Sequence, residues 1–322
     1  MTNTSAAREV PDPRQVWSDL VLLLRLAAKW FALACRPRGR PWDEIFLLAL
    51  YRVFLKREPD APGLRHWLTR LRTGSLTPMG LLLAFRASPE FLRLTGRKTF
   101  LAVLHECRLL MVKSCLPPAR TIVDLGGAAP DCPEGALLSM GYPHNPDELI
   151  IVDLPPQDRF GSWHDAEPQT HRTPGGTAVR YLYTSMSDLS PIPDASVDLV
   201  FAGQSIEHVS ENDTDATLAE VRRILKPGGC FCLDTPNRAL TRFHVPHGFV
   251  HPEHRKEYFV SELVGKVTDC GFDVIETKAL CPIPKSLKTG RIYRGEAAKN
   301  IRLGDNPEEG YLFFLKCRKP GP

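Results

Sequence analysis

What the chain lacks narrows its class first. Its nine cysteines form no CxxC pair, and only Cys230 and Cys232 lie close together, at alternate positions of one expected strand. Scattered thiols of this kind argue for the reduced state of a cytoplasmic protein. The chain also lacks an uncharged apolar run long enough to cross a bilayer. Residues 20–35, LVLLLRLAAKWFALAC, are too short and carry Arg25 and Lys29 within them. No short basic head precedes that run and no small-residue cleavage site follows it, so a secretory signal is not expected. Finally, the body of the chain lacks net charge. Seven Arg and Lys against three Asp and Glu in residues 1–41 account for the whole formal charge of +4. A neutral body excludes a large phosphate-tracking surface, and no nucleic-acid partner is expected.

What is present suggests two units, since 322 residues at 43% apolar content exceed one average domain and can bury a sizeable core. On a helical wheel Arg25, Lys29 and Arg36 share one narrow stripe, and Leu20, Leu23, Leu24, Ala27, Trp30, Phe31 and Ala34 cover most of the rest. Residues 1–40 are therefore read as an amphipathic helix and a basic linker. Two readings stay open: the helix packs on its own protein, or residues 20–40 make a peripheral membrane contact with RPRGR on anionic lipid. Residues 41–97 read as a small helical domain. Pro41 opens WDEIFLLALYRVFLKR, EPDAPG turns the chain, and Thr77 with Pro78 and Ser88 with Pro89 are two helix-start signals. The string LYRVFLKREPDAPGLRHWLTRLRTGSLTPMGLLLAFRASPEF resembles a bacterial domain of unknown function, similar to phycobilisome linkers, that recurs in surface-polysaccharide enzymes and secreted repeat proteins. That resemblance implies a docking or glycan-associated module with a protein partner, and no chemistry; His66 beside Trp67 reads as a surface or packing residue.

After a connecting helix over 98–118, residues 119–322 change character. TIVDLGG, ELIIVDLPP, VRYLYTSM, VDLVFAGQ, GGCFCLDTPN, GFDVIETKAL and GYLFFLKCRKP are short β-rich runs separated mostly by helical ones. The alternation predicts an α/β fold with a doubly wound, mostly parallel seven-stranded sheet, its last two runs forming an antiparallel pair at the edge. The first run ends in Asp124 and is followed by Gly126 and Gly127, at the edge where open α/β sheets bind ligands. A GxGxxG turn would bring backbone close to a pyrophosphate. Here its second and third glycine positions hold Ala128 and Asp131, an acid where phosphate would sit. The turn suits a ligand that has no phosphate and carries positive charge.

IVDLGG, LIIVDLPP, SDLSPIPDASVDLVFAGQSIEHV, LAEVRRILKPGGCFCLDTPN and GYLFFLKCRKP follow in the order and spacing of class I S-adenosylmethionine-dependent methyltransferases, which the chain resembles over about 200 residues. The resemblance implies S-adenosylmethionine as cofactor. It places Asp124, Gly126 and Gly127 along the methionine part, Asp153 on the ribose hydroxyls, Ser185 and Met186 beside the adenine, and Gln204 at the methyl-transfer channel. The family more often has Asp where Ser185 stands.

Methyl transfer is an in-line displacement that needs the acceptor held close in a dry pocket. A hydroxyl acceptor also benefits from a nearby base. His208 in QSIEHV, with Glu207 beside it, is the leading catalytic choice. The motif resembles that of ubiquinone-type O-methyltransferases, where an earlier acid, the Glu and the His gather a divalent metal. Gln204 replaces the acid here, and no metal is assigned. FHVPHGFVHPEHRKEYF holds His244, His247, His251 and His254 within eleven positions. That spacing suits zinc or, preferably, a loop whose histidines bond acceptor hydroxyls, with His251 and His254 the chosen pair. Lys285, Lys288, Arg291 and Arg294 offer an anion contact at the acceptor mouth, Arg291 the chosen one. The expectation is a cytoplasmic methyltransferase that O-methylates a saccharide or lipid-linked glycan in bacterial polysaccharide biosynthesis. A small aromatic or quinone-like acceptor and a non-catalytic scaffold are the rivals.

Overall fold

The computed structural model describes residues 40–94, 98–129, 132–158 and 170–321. The helix and linker expected over 1–40, and the membrane contact assigned to 20–40, lie outside the described residues apart from Arg40. Among the described residues no helix is long and apolar enough to cross a membrane. By compactness the chain divides after Thr99.

The first unit is helical. Arg40–Leu50 runs into a π-helical stretch, Tyr51–Leu55, which Lys56 ends in the left-handed conformation at φ 55°. Three more helices follow at Ala61–Arg72, Pro78–Ala87 and Pro89–Leu94. Their starts are fixed by side chains that satisfy otherwise orphaned backbone donors: Asp60 accepts from Gly63 N–H at 2.7 Å, Thr77 from Gly80 at 3.0 Å and Ser88 from Phe91 at 3.2 Å. Leu47, Leu50, Tyr51, Leu81 and Phe85 form the core. His66 is exposed and stands edge-on to Trp67, with ring centroids 4.9 Å apart.

The second unit is built on one sheet. Its strands are β1 (Thr121–Leu125), β2 (Glu148–Asp153), β3 (Thr170–Arg172), β4 (Ala178–Tyr183), β5 (Val197–Gly203), β6 (Leu225–Pro236), β7 (Asp273–Pro282), β8 (Leu303–Gly304) and β9 (Gly310–Arg318). They lie in the order β3-β4-β2-β1-β5-β6-β9-β7-β8. The five strands β4, β2, β1, β5 and β6 are parallel, and β9 lies antiparallel between β6 and β7. All seven expected runs are present; β3 and β8 are short antiparallel additions at the two edges. The last two runs do pair with each other, but β9 is inserted beside β6 and the two do not close the sheet alone.

Alternation decides the layers. Ile122, Leu149, Ile151, Leu199 and Phe201 face one apolar cluster, while Val123, Leu125, Ile150, Val152, Val200 and Ala202 face another on the opposite side. Helices Glu211–Ile224 and Val260–Asp269 cover the second face. Helix Phe100–Cys115 covers the first, with Val103, Leu104, Cys107, Met111 and Val112 buried among the strands. The helix expected as a connector is thus an integral layer of this unit. Each of its apolar residues could be read as connector surface until the sheet supplied a face for them.

Candidate active site

Register places the carboxyl ends of the parallel strands along one rim, with Leu125 beside Val152, Asp153 beside Tyr183 and Gly203 beside Asp234. Such a rim is where sheets of this type bind ligands. The chain leaves β1 through Gly126, at φ 70°, whose N–H donates to Val152 O at 2.8 Å. A Cβ on Gly126 would lie 2.8 Å from Ser205 Cβ, and one on Gly127 would lie 2.2 Å from the Asp124 carboxyl group. Both positions therefore require glycine. Asp153, at the end of β2, accepts from Ala128 N–H at 3.1 Å and from Leu154 N–H at 2.8 Å, so it braces the glycine turn. A carboxylate oxygen can accept more than one donor. Asp131 lies outside the described residues.

Asp124 is buried and accepts from Leu137 N–H at 3.3 Å. Burial pushes its carboxyl up to about 7, the Leu137 bond works against that, and Asp153 adds to it. A carboxyl that titrates near 7 when folded and near 3.8 when unfolded contributes stability that is complete below 3.8 and lost as pH rises through about 7. Asp124→Asn lacks that dependence. Its melting temperature without cofactor should therefore climb relative to wild type, by a few degrees, as pH goes from 5 to 8. Parallel melting curves would show no connection with Asp124.

After β5 the chain turns through Gln204 at φ 58°, a left-handed conformation that a non-glycine residue adopts at some cost. Two bonds hold it there: Gln204 N–H to Asp234 O at 2.8 Å and Gln204 Nε2 to Asp234 Oδ2 at 2.9 Å. Asp234 is fully buried and also accepts from Arg108 Nε at 2.8 Å. Sequence reasoning missed Arg108 and Asp234. The signal for Asp234 was a lone acid at the end of the apolar run CFCLD. Ser205 Oγ, next to Gly126, is buried without a hydrogen-bond partner among the described residues. Ser185 and Met186 follow β4; Ser185 Oγ is 2.7 Å from Ser187 Oγ, and Met186 packs on the sheet's second face. Leu154, 46% exposed after Asp153, offers the rim an apolar surface that the sequence reading did not use.

On the other side of Gln204 the turn Ile206–His208 carries the expected Glu207 and His208. Glu207 O accepts from Arg255 N–H at 2.8 Å and Lys256 N–H at 3.2 Å, which ties QSIEHV to HPEHRKEYF. His208, His251 and His254 consequently meet. Ring centroids are 4.9 Å apart for His208 and His254, 5.9 Å for His208 and His251, and 5.4 Å for His251 and His254. His208 is depressed to about 4, first by burial and then by His254 and His251. It is therefore neutral across the ordinary pH range. Burial raises Glu207 to about 7, and its Oε2 accepts from Thr235 Oγ1 at 2.9 Å. For Glu257 burial would raise the carboxyl, but bonds from His254, Thr241 and Val250 N–H outweigh it and leave it low. The other histidines do not join this group: His244 lies 2.8 Å from Tyr311 Oη, and His247 is exposed. Arg291 is exposed after helix Pro284–Thr289, its N–H on Ser286 O at 3.3 Å. Lys285 stacks over Tyr293 at 4.4 Å.

The strand order, glycine turn and rim acids define a Rossmann-like domain of the methyltransferase type. Residues 143–233 match the family model described as a methyltransferase domain, and residues 37–95 match a domain of unknown function, DUF4214. A probable S-adenosylmethionine-dependent methyltransferase of Mycolicibacterium smegmatis is 39% identical over 87 residues, which cover 27% of this chain and 33% of that protein. A dimethylglycine N-methyltransferase of Parasynechococcus marenigrum is 42% identical over 157 residues, covering 41% of this chain and 54% of its own length. The chain thus spans between a third and about half of the length of these curated relatives. A solved S-adenosylmethionine-dependent methyltransferase of Thermotoga maritima, described as a possible histamine N-methyltransferase, superposes with a TM-score of 0.46 at 21% identity, covering 68% of this chain and 89% of that one.

The cofactor of such a domain is S-adenosylmethionine, and the residues present fit it. The turn admits no side chain at Gly126 or Gly127, Ser205 Oγ is an unused polar atom beside that turn, and Asp153 offers an acceptor-only group for a diol. When bound, the cofactor supplies a methyl group on a sulfonium sulfur.

Proposed function

We propose that the chain transfers a methyl group from S-adenosylmethionine to an acceptor hydroxyl, and that the acceptor is a saccharide or lipid-linked glycan. The observation that carries the hydroxyl reading is the meeting of Glu207, His208, His251 and His254 beside the turn that follows Gln204 and Ser205. A hydroxyl must be oriented and relieved of its proton, and the neutral imidazole of His208 beside the Glu207 carboxyl group is suited to both tasks. An acceptor carboxylate would need no base. His208 and Glu207 contact the reacting oxygen in this reading, His251 and His254 hold the rest of the acceptor, and Arg291 meets an anionic group at its outer part. The glycan class rests on the company that a module like residues 41–97 keeps, which is an association. The same module would dock a protein partner of the biosynthetic machinery, and the membrane contact of residues 20–40 would bring a lipid-linked acceptor near.

An amine acceptor is the second reading, favoured by the dimethylglycine methyltransferase among the relatives. The test is incubation with methyl-labelled cofactor, lipid-extracted glycans, free sugars, quinone precursors and dimethylglycine as separate acceptors. Alkali-stable label on a glycan hydroxyl is the expected product. Label on dimethylglycine alone, or on a phenol alone, would overturn the glycan reading.

A further inference from the structure

We propose that Glu207, His208 and His254 form a binding site for one divalent transition-metal ion of the zinc class, with His251 at its rim and Glu257 as the residue that positions His254. The donor atoms of Glu207, His208 and His254 all lie within 4.8 Å of one another, and His208, His251 and Glu253 form an overlapping group within the same distance. Two donors about 2.1 Å from a shared tetrahedral ion stand about 3.4 Å apart, so small side-chain rotations close the set.

Two further observations point to a ligand. Glu207 Oε1 is buried and has no hydrogen-bond partner among the described residues, although the residue is fully enclosed. A carboxylate oxygen in that position is costly unless something positive meets it. His254, whose side chain is 7% exposed, donates from Nδ1 to Glu257 Oε1 at 2.8 Å. That bond leaves Nε2 as the nitrogen available to an ion. Glu257 is itself held by Thr241 Oγ1, Val250 N–H at 2.8 Å and Arg238 at 3.6 Å. A carboxylate that fixes the ring of a ligating histidine is the usual support behind such a site.

The donor set selects the ion. Imidazole nitrogens favour zinc and its first-row neighbours over magnesium and calcium, which take oxygen ligands. Two imidazoles and one carboxylate leave a coordination position open for a small oxygen ligand. The set is also distinct from an acid, Glu and His along one turn, because Gln204 occupies the acid's place and is bonded to Asp234. With the ion bound, His208 and His254 act as its ligands and not as base and acceptor contact, and the open position takes the acceptor oxygen and lowers its pKa instead; that step rests on the methyl-transfer reading, whereas ion binding does not.

The test uses the full chain without a polyhistidine tag, stripped with chelator and desalted. Zn²⁺ is titrated calorimetrically against a competing chelator, and Co²⁺ is followed by visible absorption. Wild type should take up one equivalent of each and give Co²⁺ bands of a nitrogen- and oxygen-ligated site. His254→Ala and Glu207→Gln should each weaken uptake about 100-fold, and Glu257→Gln about 10-fold. The exposed His247→Ala should bind as wild type does. Absence of stoichiometric uptake by wild type overturns the site, as does equal uptake by a His208→Ala, His254→Ala double variant. The wild-type Co²⁺ spectrum decides the matter even where a variant does not fold. S-adenosylhomocysteine titrated into the same stripped sample separates the two claims: cofactor binding without ion uptake sinks the metal site and leaves the methyl-transfer reading standing, and the converse does the reverse.

Discussion

Replacing Asp153 by Ala should weaken S-adenosylhomocysteine binding about 100-fold, equivalent to about 2.7 kcal/mol. The size follows from the geometry at the end of β2. Asp153 Oδ1 already accepts from Leu154 N–H and Oδ2 from Ala128 N–H, and these two bonds aim the carboxylate along the rim. A carboxylate oxygen accepts more than one donor, so this group suits both hydroxyls of a ribose, each a bond to a charged group worth about 1.5–3 kcal/mol, less what competing water recovers at an open edge. Loss of the carboxylate also removes the brace on the glycine turn, so the backbone that receives the methionine part loosens with it. Asp153→Asn keeps one acceptor oxygen and should fall between the two. Calorimetry on the three proteins measures all of this. An Asp153→Ala variant that binds as wild type does would place the nucleoside elsewhere.

The second large effect belongs to His208. His208→Ala should reduce turnover about 100-fold while leaving S-adenosylhomocysteine affinity within about twofold of wild type. The reasoning is positional. The ring neighbours of His208 are His254 and His251, its backbone N–H donates to Ser205 O at 3.0 Å, and among the described residues no hydrogen bond joins its ring to Asp153 or the glycine turn. Removing the ring takes a contact from the acceptor and leaves the nucleoside cradle intact. The split between kcat and cofactor affinity is the informative part, because a residue that merely packed under the cofactor would move both together. Normal turnover in this variant would remove His208 from the acceptor's path.

The strands were legible because a parallel sheet buried on both faces needs continuous apolar runs, and TIVDL, LIIVD and VDLVFAG are such runs. The rim followed from Asp124, Gly126 and Gly127, since a strand that ends in an acid and two glycines leaves little else for its carboxyl end to be. Helix Phe100–Cys115 falls within the connecting helix expected over 98–118, but its packing on the sheet was not legible, because its apolar positions give no address until the sheet offers one. Arg108 and Asp234 escaped notice for a related reason. They are 126 positions apart, and no local pattern reports that an arginine in one helix will meet an acid at the end of β6. The histidine group sits between these extremes. QSIEHV and HPEHRKEYF each advertised themselves, but only the two N–H bonds from Arg255 and Lys256 to Glu207 O bring them together. The same fold takes His244 away to Tyr311 and leaves His247 in solvent, which spacing along the chain did not distinguish.

Titration of S-adenosylhomocysteine into the full-length protein by calorimetry tests the central claim most directly. A saturable one-to-one heat, unaffected by excess NAD and weakened about 100-fold in affinity by Asp153→Ala, is the predicted result. No heat and no thermal stabilisation, or displacement by a dinucleotide, would mean that the glycine turn and the acid at the end of β2 serve a different ligand or none.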